Sequence, residues 1–302
     1  MKMVSRRLLE ATAVVCAIDC VPGSQAANLV VEITAECTEI LPLQAVVLET
    51  TITNVGRQDA WIGAPFLNKQ SEAQVLQIVD PFQSIRRLDE VRPKLIPDCG
   101  TGPLDPFENM EKLQAGRHVL RRTLVAYDWE QQKPLFLARG SYQLTVVVDG
   151  NASNTLVVKV IEAPPDQQVA LEAFERFRKR EWLPAVYDSN VSARGAFQDP
   201  VFLRELEAMA WETTAGAYGD LARLVLADQA ARRTFRSIVW GREDLSHLET
   251  AHDYLAWIPP SSAYFELAAA RKRILRAFED SLAEAEDRRL LVSEPQRKIW
   301  DL

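Results

Sequence analysis

The stretch Tyr142-Gln143-Leu144-Thr145-Val146-Val147-Val148-Asp149-Gly150-Asn151, continued by Thr155-Leu156-Val157-Val158-Lys159-Val160-Ile161, decides the reading of the first half of the chain. Tyr142, Leu144, Val146 and Val148 recur at every second position, which on a pleated strand places them on one face. Asp149-Gly150-Asn151 supplies the backbone freedom of a tight turn, and residues 155–161 return as a more continuously apolar strand. The same period of two appears upstream. Val46, Leu48, Thr50 and Ile52 alternate with Glu49, Thr51 and Thr53, and Asn54-Val55-Gly56 then turns the chain. Residues 29–34, 60–62, 75–79 and 119–127 are shorter strand candidates. About seven strands with turns between them and no helical period point to an antiparallel sandwich. Six of the 16 prolines lie from Pro65 to Pro106, so an irregular excursion from the sheet is expected after Val79.

Beyond Pro164-Pro165 the composition shifts to Ala, Leu, Glu and Arg and the period becomes helical. Val169, Ala170, Phe174 and Phe177 form one apolar stripe, and Leu267, Ile274, Leu275, Phe278 and Leu282 form another. Within this half there is an internal echo. Ala210-Trp211, Ala217-Tyr218 and Leu221-Ala222 recur as Ala256-Trp257, Ala263-Tyr264 and Leu267-Ala268, always 46 positions later, with Asp220 answered by Glu266. Each copy reads as the end of one helix, a connection and the start of the next. Pro259-Pro260 breaks the first helix of the second copy and Ser261-Ser262 can cap its successor. We read Trp211, Tyr218, Trp257 and Tyr264 as repeated core anchors.

Two resemblances follow from these residues. Residues 48–56, Gly140-Ser141-Tyr142-Gln143-Leu144, and Ser153-Asn154-Thr155-Leu156-Val157-Val158 ending in Glu162-Ala163-Pro164-Pro165 resemble bacterial exported proteins in which an immunoglobulin-like sandwich precedes helices. The arrangement is also similar to bacterial proteinase-inhibitor sandwiches, although no inhibitory loop motif carries over. Tyr254-Leu255-Ala256-Trp257-Ile258-Pro259-Pro260-Ser261-Ser262-Ala263-Tyr264 looks like part of a tetratricopeptide-type repeat. It departs from that pattern in its spacing, 46 where the usual period is about 34, and in having two copies where about three are needed for a free-standing solenoid. A compact bundle leaning on the sandwich is equally consistent. The expected fold class is α+β: an antiparallel immunoglobulin-like sandwich over residues 27–163 and a helical repeat or bundle over 166–302.

The N-terminus orders Lys2, Arg6 and Arg7 before a mainly apolar run and the small residues Ser24 and Ala26, the pattern of a secretory signal over residues 1–26. Glu10 and Asp19 interrupt the run, which is too short to span a bilayer. Val15 and Asp19, just before Cys16 and Cys20, are not the small residues of a lipidation site. Loss of the leader leaves Cys37 and Cys99, a pair that an oxidising compartment would allow to bond. The expected location is therefore periplasmic or extracellular, with no transmembrane span in the mature chain.

The chain holds 35 basic and 42 acidic residues, a formal charge of −7, spread without a basic patch, which argues against a nucleic-acid partner. Motif searches find no nucleophile elbow, phosphate loop or dinucleotide fingerprint. The one dense set of metal-type residues is His247, Glu249, His252 and Asp253, but residues five apart on a helix point away from each other, so the two histidines would not share a face. We expect no cofactor and no catalytic residue. The leading expectation is an exported, non-catalytic interaction or envelope-associated module for a protein or peptide partner, using the helical face and the 65–106 excursion. The alternatives are a proteinase-inhibitor-like binder and a hydrolase with carboxylates at the junction of the two halves.

Overall fold

The computed structural model describes residues 28–63, 74–88, 110–187, 195–239 and 244–284. The leader, Cys99 with its pairing to Cys37, and most of the 65–106 excursion lie outside the described residues. The chain is α+β, with strands preceding helices.

One sheet orders β1 (Leu29–Ala35), β3 (Val46–Asn54) and β8 (His118–Val125). The other orders β2 (Glu39–Ile40), β13 (Leu156–Val160), β11 (Gly140–Val148), β5 (Gln74–Val79) and β6 (Ile85–Leu88), with β12 (Asn151–Ala152) pairing on β11. Two short pairs, β4 (Ala60–Gly63) with β7 (Met110–Leu113) and β9 (Tyr127–Asp128) with β10 (Lys133–Pro134), complete the set. Among the described residues every pairing is antiparallel except β2 beside β13.

The alternation sets which side chains meet. On β11, Leu144 pairs with Ile78 and Val146 with Leu76 across β5, while Val31 pairs with Ile52 between β1 and β3. These residues, from both sheets, belong to one buried cluster. At the hairpin tip Asp149 (φ 46°) and Gly150 (φ 80°) both take positive φ, as a tight two-residue turn requires, and Val148 pairs directly with Asn151. At the opposite end of β11, the Tyr142 hydroxyl donates to the Ala138 carbonyl at 3.0 Å and accepts from the Ala138 N–H at 3.1 Å.

Sequence periodicity misses β6 and β7. Ile85-Arg86-Arg87-Leu88 and Met110-Glu111-Lys112-Leu113 each place two charges between their apolar residues, so neither alternates. Their partners explain them instead, since β5 and β4 present open rows of backbone donors and acceptors. The expected irregular excursion therefore starts later than Val79, after a strand.

The helices are α1 (Gln168–Lys179), α2 (Leu183–Tyr187), α3 (Pro200–Trp211), α4 (Gly216–Val239), α5 (Ser246–Ala256) and α6 (Phe265–Glu284). Asp199 caps α3 by accepting from the Val201 N–H at 2.8 Å, with Pro200 at the first helical position, where no N–H is needed. In α1, Ala170, Phe174 and Phe177 are buried, whereas Val169 lies outside the stripe and is exposed. The helix α4 is sheathed on nearly all sides, and Phe174, Phe202, Tyr218, Phe235 and Phe278 form the centre of a second cluster.

That second cluster does not stop at the helices. It takes in Leu41, Leu43 and Ala45, from the segment that carries the chain from β2 to β3, and Val47 at the start of β3, together with Ala126 and Tyr127. Three tyrosine hydroxyls donate to backbone carbonyls of this segment: Tyr187 to Leu43 at 2.7 Å, Tyr218 to Pro42 at 2.5 Å and Tyr264 to Ala45 at 3.0 Å. Leu43 itself has φ 62°, and its N–H donates to the Phe136 carbonyl at 2.7 Å. The bend turns its carbonyls toward the helices, and each meets a phenol instead of water.

Candidate functional site

The four residues of the echo divide into two kinds. Tyr218 and Tyr264 are fully buried and hold the 42–45 segment. Trp211 and Trp257 are 52% and 59% exposed, so the expectation that they are core anchors is corrected. The reason is local: Trp211 ends α3, Trp257 directly follows α5, and each lies one helical turn beyond an exposed acid, Glu207 or Asp253. They continue the polar faces of α3 and α5, not the buried ones.

The tryptophans nevertheless meet. Their ring centroids are 5.7 Å apart at 84°, an edge-to-face contact, and Trp211 lies 5.5 Å from the ring of Tyr254 on α5. The result is a small aromatic platform bridging the ends of two helices. Tyr254 itself is mostly covered, and its hydroxyl is held above its ordinary range by burial and by the nearby Glu207 charge, with Arg233 acting in the opposite sense.

Behind the platform sits a buried ion pair. Arg223 of α4 donates through Nε to the Ala210 carbonyl at 2.7 Å and through Nη1 to Asp220 Oδ1 at 2.5 Å. The Arg223 bond satisfies a carbonyl at the C-terminal end of α3, where positive charge is favoured. Burial pushes the Asp220 carboxyl up, while a hydrogen bond from Ser262 and the Arg223 charge draw it back. Ser262 lies in the turn between α5 and α6, so the pair ties both tryptophan-bearing turns to α4.

Next to the platform α5 borders a cleft of about 450 Å³ shared with α6. Leu245, Leu248 and Leu282 supply apolar wall, and Glu249, His252, Asp253 and Glu279 supply the polar groups. His252 Nε2 lies 3.1 Å from Glu279 Oε2, while His247 turns toward Asp244 at 3.7 Å. The two histidines thus face different partners. Among the described residues no three His, Cys, Asp or Glu side chains gather as a metal-holding group. Asp253 belongs to both features, lining the cleft and preceding Trp257 by one turn.

The sequence holds a signal for this surface one turn before each tryptophan. Glu207 and Asp253 are themselves 46 positions apart, so an acid followed four residues later by tryptophan occurs in both copies. Tyr187 and Tyr254 carry no such signal. Of the remaining candidates, Cys37 donates its thiol to the Glu39 carbonyl at 2.7 Å.

The chain matches no described protein family and no curated protein. Among solved structures it is similar over part of its length to a β-glucosidase from Listeria innocua, at 13% identity and a TM-score of 0.27, covering 45% of this chain and 16% of that one. It is similar to the CARDB domain of a Pyrococcus furiosus protein solved with di-metal ions, at 14% identity and a TM-score of 0.25, covering 45% of this chain and 94% of that one. The sporulation control protein Spo0M from Bacillus subtilis gives 14% identity and a TM-score of 0.26, covering 49% of this chain and 55% of that one. This chain spans only a small fraction of the glucosidase, and likenesses of this size carry no functional argument.

Proposed function

We propose that this protein is an exported, non-catalytic binding module in which an immunoglobulin-like sandwich carries tetratricopeptide-type helices that hold a peptide segment of a partner protein. The observation that carries this reading is the exposed Trp211–Trp257 platform, because large aromatics left open at adjoining helix ends are typical of contact surfaces. Three further features support the architecture. The parallel β2–β13 pairing and the Tyr142 hydroxyl bonded four residues upstream fit an immunoglobulin-like sandwich, the latter as its tyrosine corner. The helices α3 and α5 fit the first members of two successive helix pairs, whose like positions line one face of such an array. Export rests on the leader pattern in residues 1–26.

A random peptide library displayed on phage and selected on the mature chain tests the binding reading. Enrichment that is lost on the double variant Trp211→Ala/Trp257→Ala supports it, and failure to enrich, or equal enrichment on the variant, overturns it. The intact mass of protein expressed with its own leader tests export: a mass starting at Ala27 supports it, and retention of Met1 sinks it.

A further inference from the structure

Resting on that binding reading, we infer that the α5 surface takes a cationic partner: a short peptide segment whose lysine or arginine side chains lie on the Trp211–Trp257 platform and in the neighbouring α5–α6 cleft. The argument begins with what surrounds the exposed rings. A tryptophan face carries negative quadrupole density and attracts ammonium or guanidinium groups. One helical turn before each tryptophan comes an exposed carboxylate, Glu207 before Trp211 and Asp253 before Trp257, so ring and acid on the same helix face favour the same sign of charge. Glu207 is close enough for its charge to act on Tyr254, which places it at the platform and not merely on the same helix.

The cleft repeats this chemistry in concave form. Among the described residues its lining holds three carboxylates, one imidazole and three leucines, with no arginine or lysine among them. Apolar walls that end in acids suit a lysine or arginine side chain, whose methylenes need cover and whose head needs a counter-charge. Arg233 acts on Tyr254 in the sense opposite to Glu207, and Arg204 stands one turn before Glu207 on α3, two basic groups set against Glu207, Asp253 and Glu212. The balance there remains negative.

Asp253 makes the two parts one site. Glu249, Asp253 and Trp257 follow each other at four-residue intervals and form a row along α5 about 12 Å long at 1.5 Å per residue. An extended peptide covers that distance with about four residues. Two basic side chains on such a segment reach the cleft and the platform together, which gives a dibasic segment an advantage over a single cation.

The test uses fluorescein-labelled hexa-arginine, hexaglutamate and hexaserine, titrated by anisotropy against the full mature chain at low and physiological salt. Hexa-arginine is expected to bind with strong salt dependence, and Asp253→Asn or Trp211→Ala/Trp257→Ala is expected to weaken it about tenfold. Trp257→Phe, which keeps a ring, should retain most of the affinity. Glu32→Gln, which removes an exposed acid on β1, separates this site from general attraction to an acidic protein. Loss with Glu32→Gln equal to that with Asp253→Asn, no binding of hexa-arginine, or equal binding of hexaglutamate overturns the inference. Phage selection that enriches peptides without basic residues, lost on the tryptophan variant, overturns this inference and leaves the binding reading standing. Absence of any enrichment removes both.

Discussion

Tyr187, Tyr218 and Tyr264 show how much a single oxygen does in this protein. Each phenol is buried and donates to a carbonyl between Pro42 and Ala45, so replacing any one with phenylalanine leaves a buried acceptor without its partner. We expect each Tyr→Phe change to destabilise the protein by about 1–3 kcal/mol in urea denaturation. A second expectation concerns pH. Burial raises all three hydroxyls above their ordinary range, so the native state holds them neutral where the unfolded chain would ionise them. The stability they contribute is complete below about pH 10 and is lost as the pH climbs beyond it. Denaturation midpoints measured from pH 8 to 11 should fall at the alkaline end, and less steeply in the Tyr218→Phe/Tyr264→Phe double variant. A flat profile in the wild type would contradict the burial of these groups.

The C-terminal turns of helices α3 and α5 are tied to α4 by the Arg223–Asp220 pair. Replacing Arg223 with methionine keeps the bulk but leaves the Asp220 carboxylate buried without its counter-charge and the Ala210 carbonyl without its donor. The expected cost is about 3–5 kcal/mol, together with a shift in tryptophan fluorescence as the 210–212 and 257–262 turns loosen. An unchanged emission spectrum in the folded variant would mean that the platform is held by other contacts. Sequence pattern reveals some of these elements and not others. The β11–β12 turn and strands β3, β5 and β13 are legible because pleat period and turn chemistry are properties of neighbouring residues. β6 and β7 are not, because their pairing depends on open sheet edges elsewhere in the chain. Tyr218 and Tyr264 are legible as buried, standing among alanines and leucines, but their acceptors lie more than 170 residues away, beyond the reach of any local pattern. The tryptophans invite a reading as core residues because large aromatics are usually buried, whereas the acid one turn before each marks the exposed face.

At the scale of the whole molecule, the change in composition at Pro164-Pro165 suggests two domains, yet one buried cluster runs from the 41–47 segment through α1, α4 and α6. Unfolding of residues 27–302 should therefore give one cooperative transition by far-UV circular dichroism and by tryptophan fluorescence. An excised 166–302 fragment should lose sharp melting and bind a hydrophobic dye, since Tyr218 and Tyr264 would face water where they now meet the 42–45 segment. Two separated transitions, or a cleanly melting fragment, would show that the helices stand alone.

The 42–45 segment also has a mechanical meaning. It lies where the chain crosses from the β2 sheet to the β3 sheet, and the three phenols grip it there. A pull on anything seated against α5 passes through α4 and α6 into this crossing and loads both sheets at once, without reaching first the Pro164-Pro165 link. The three phenols then carry the load together, so under tension the helices should part from the sheets in one abrupt rupture.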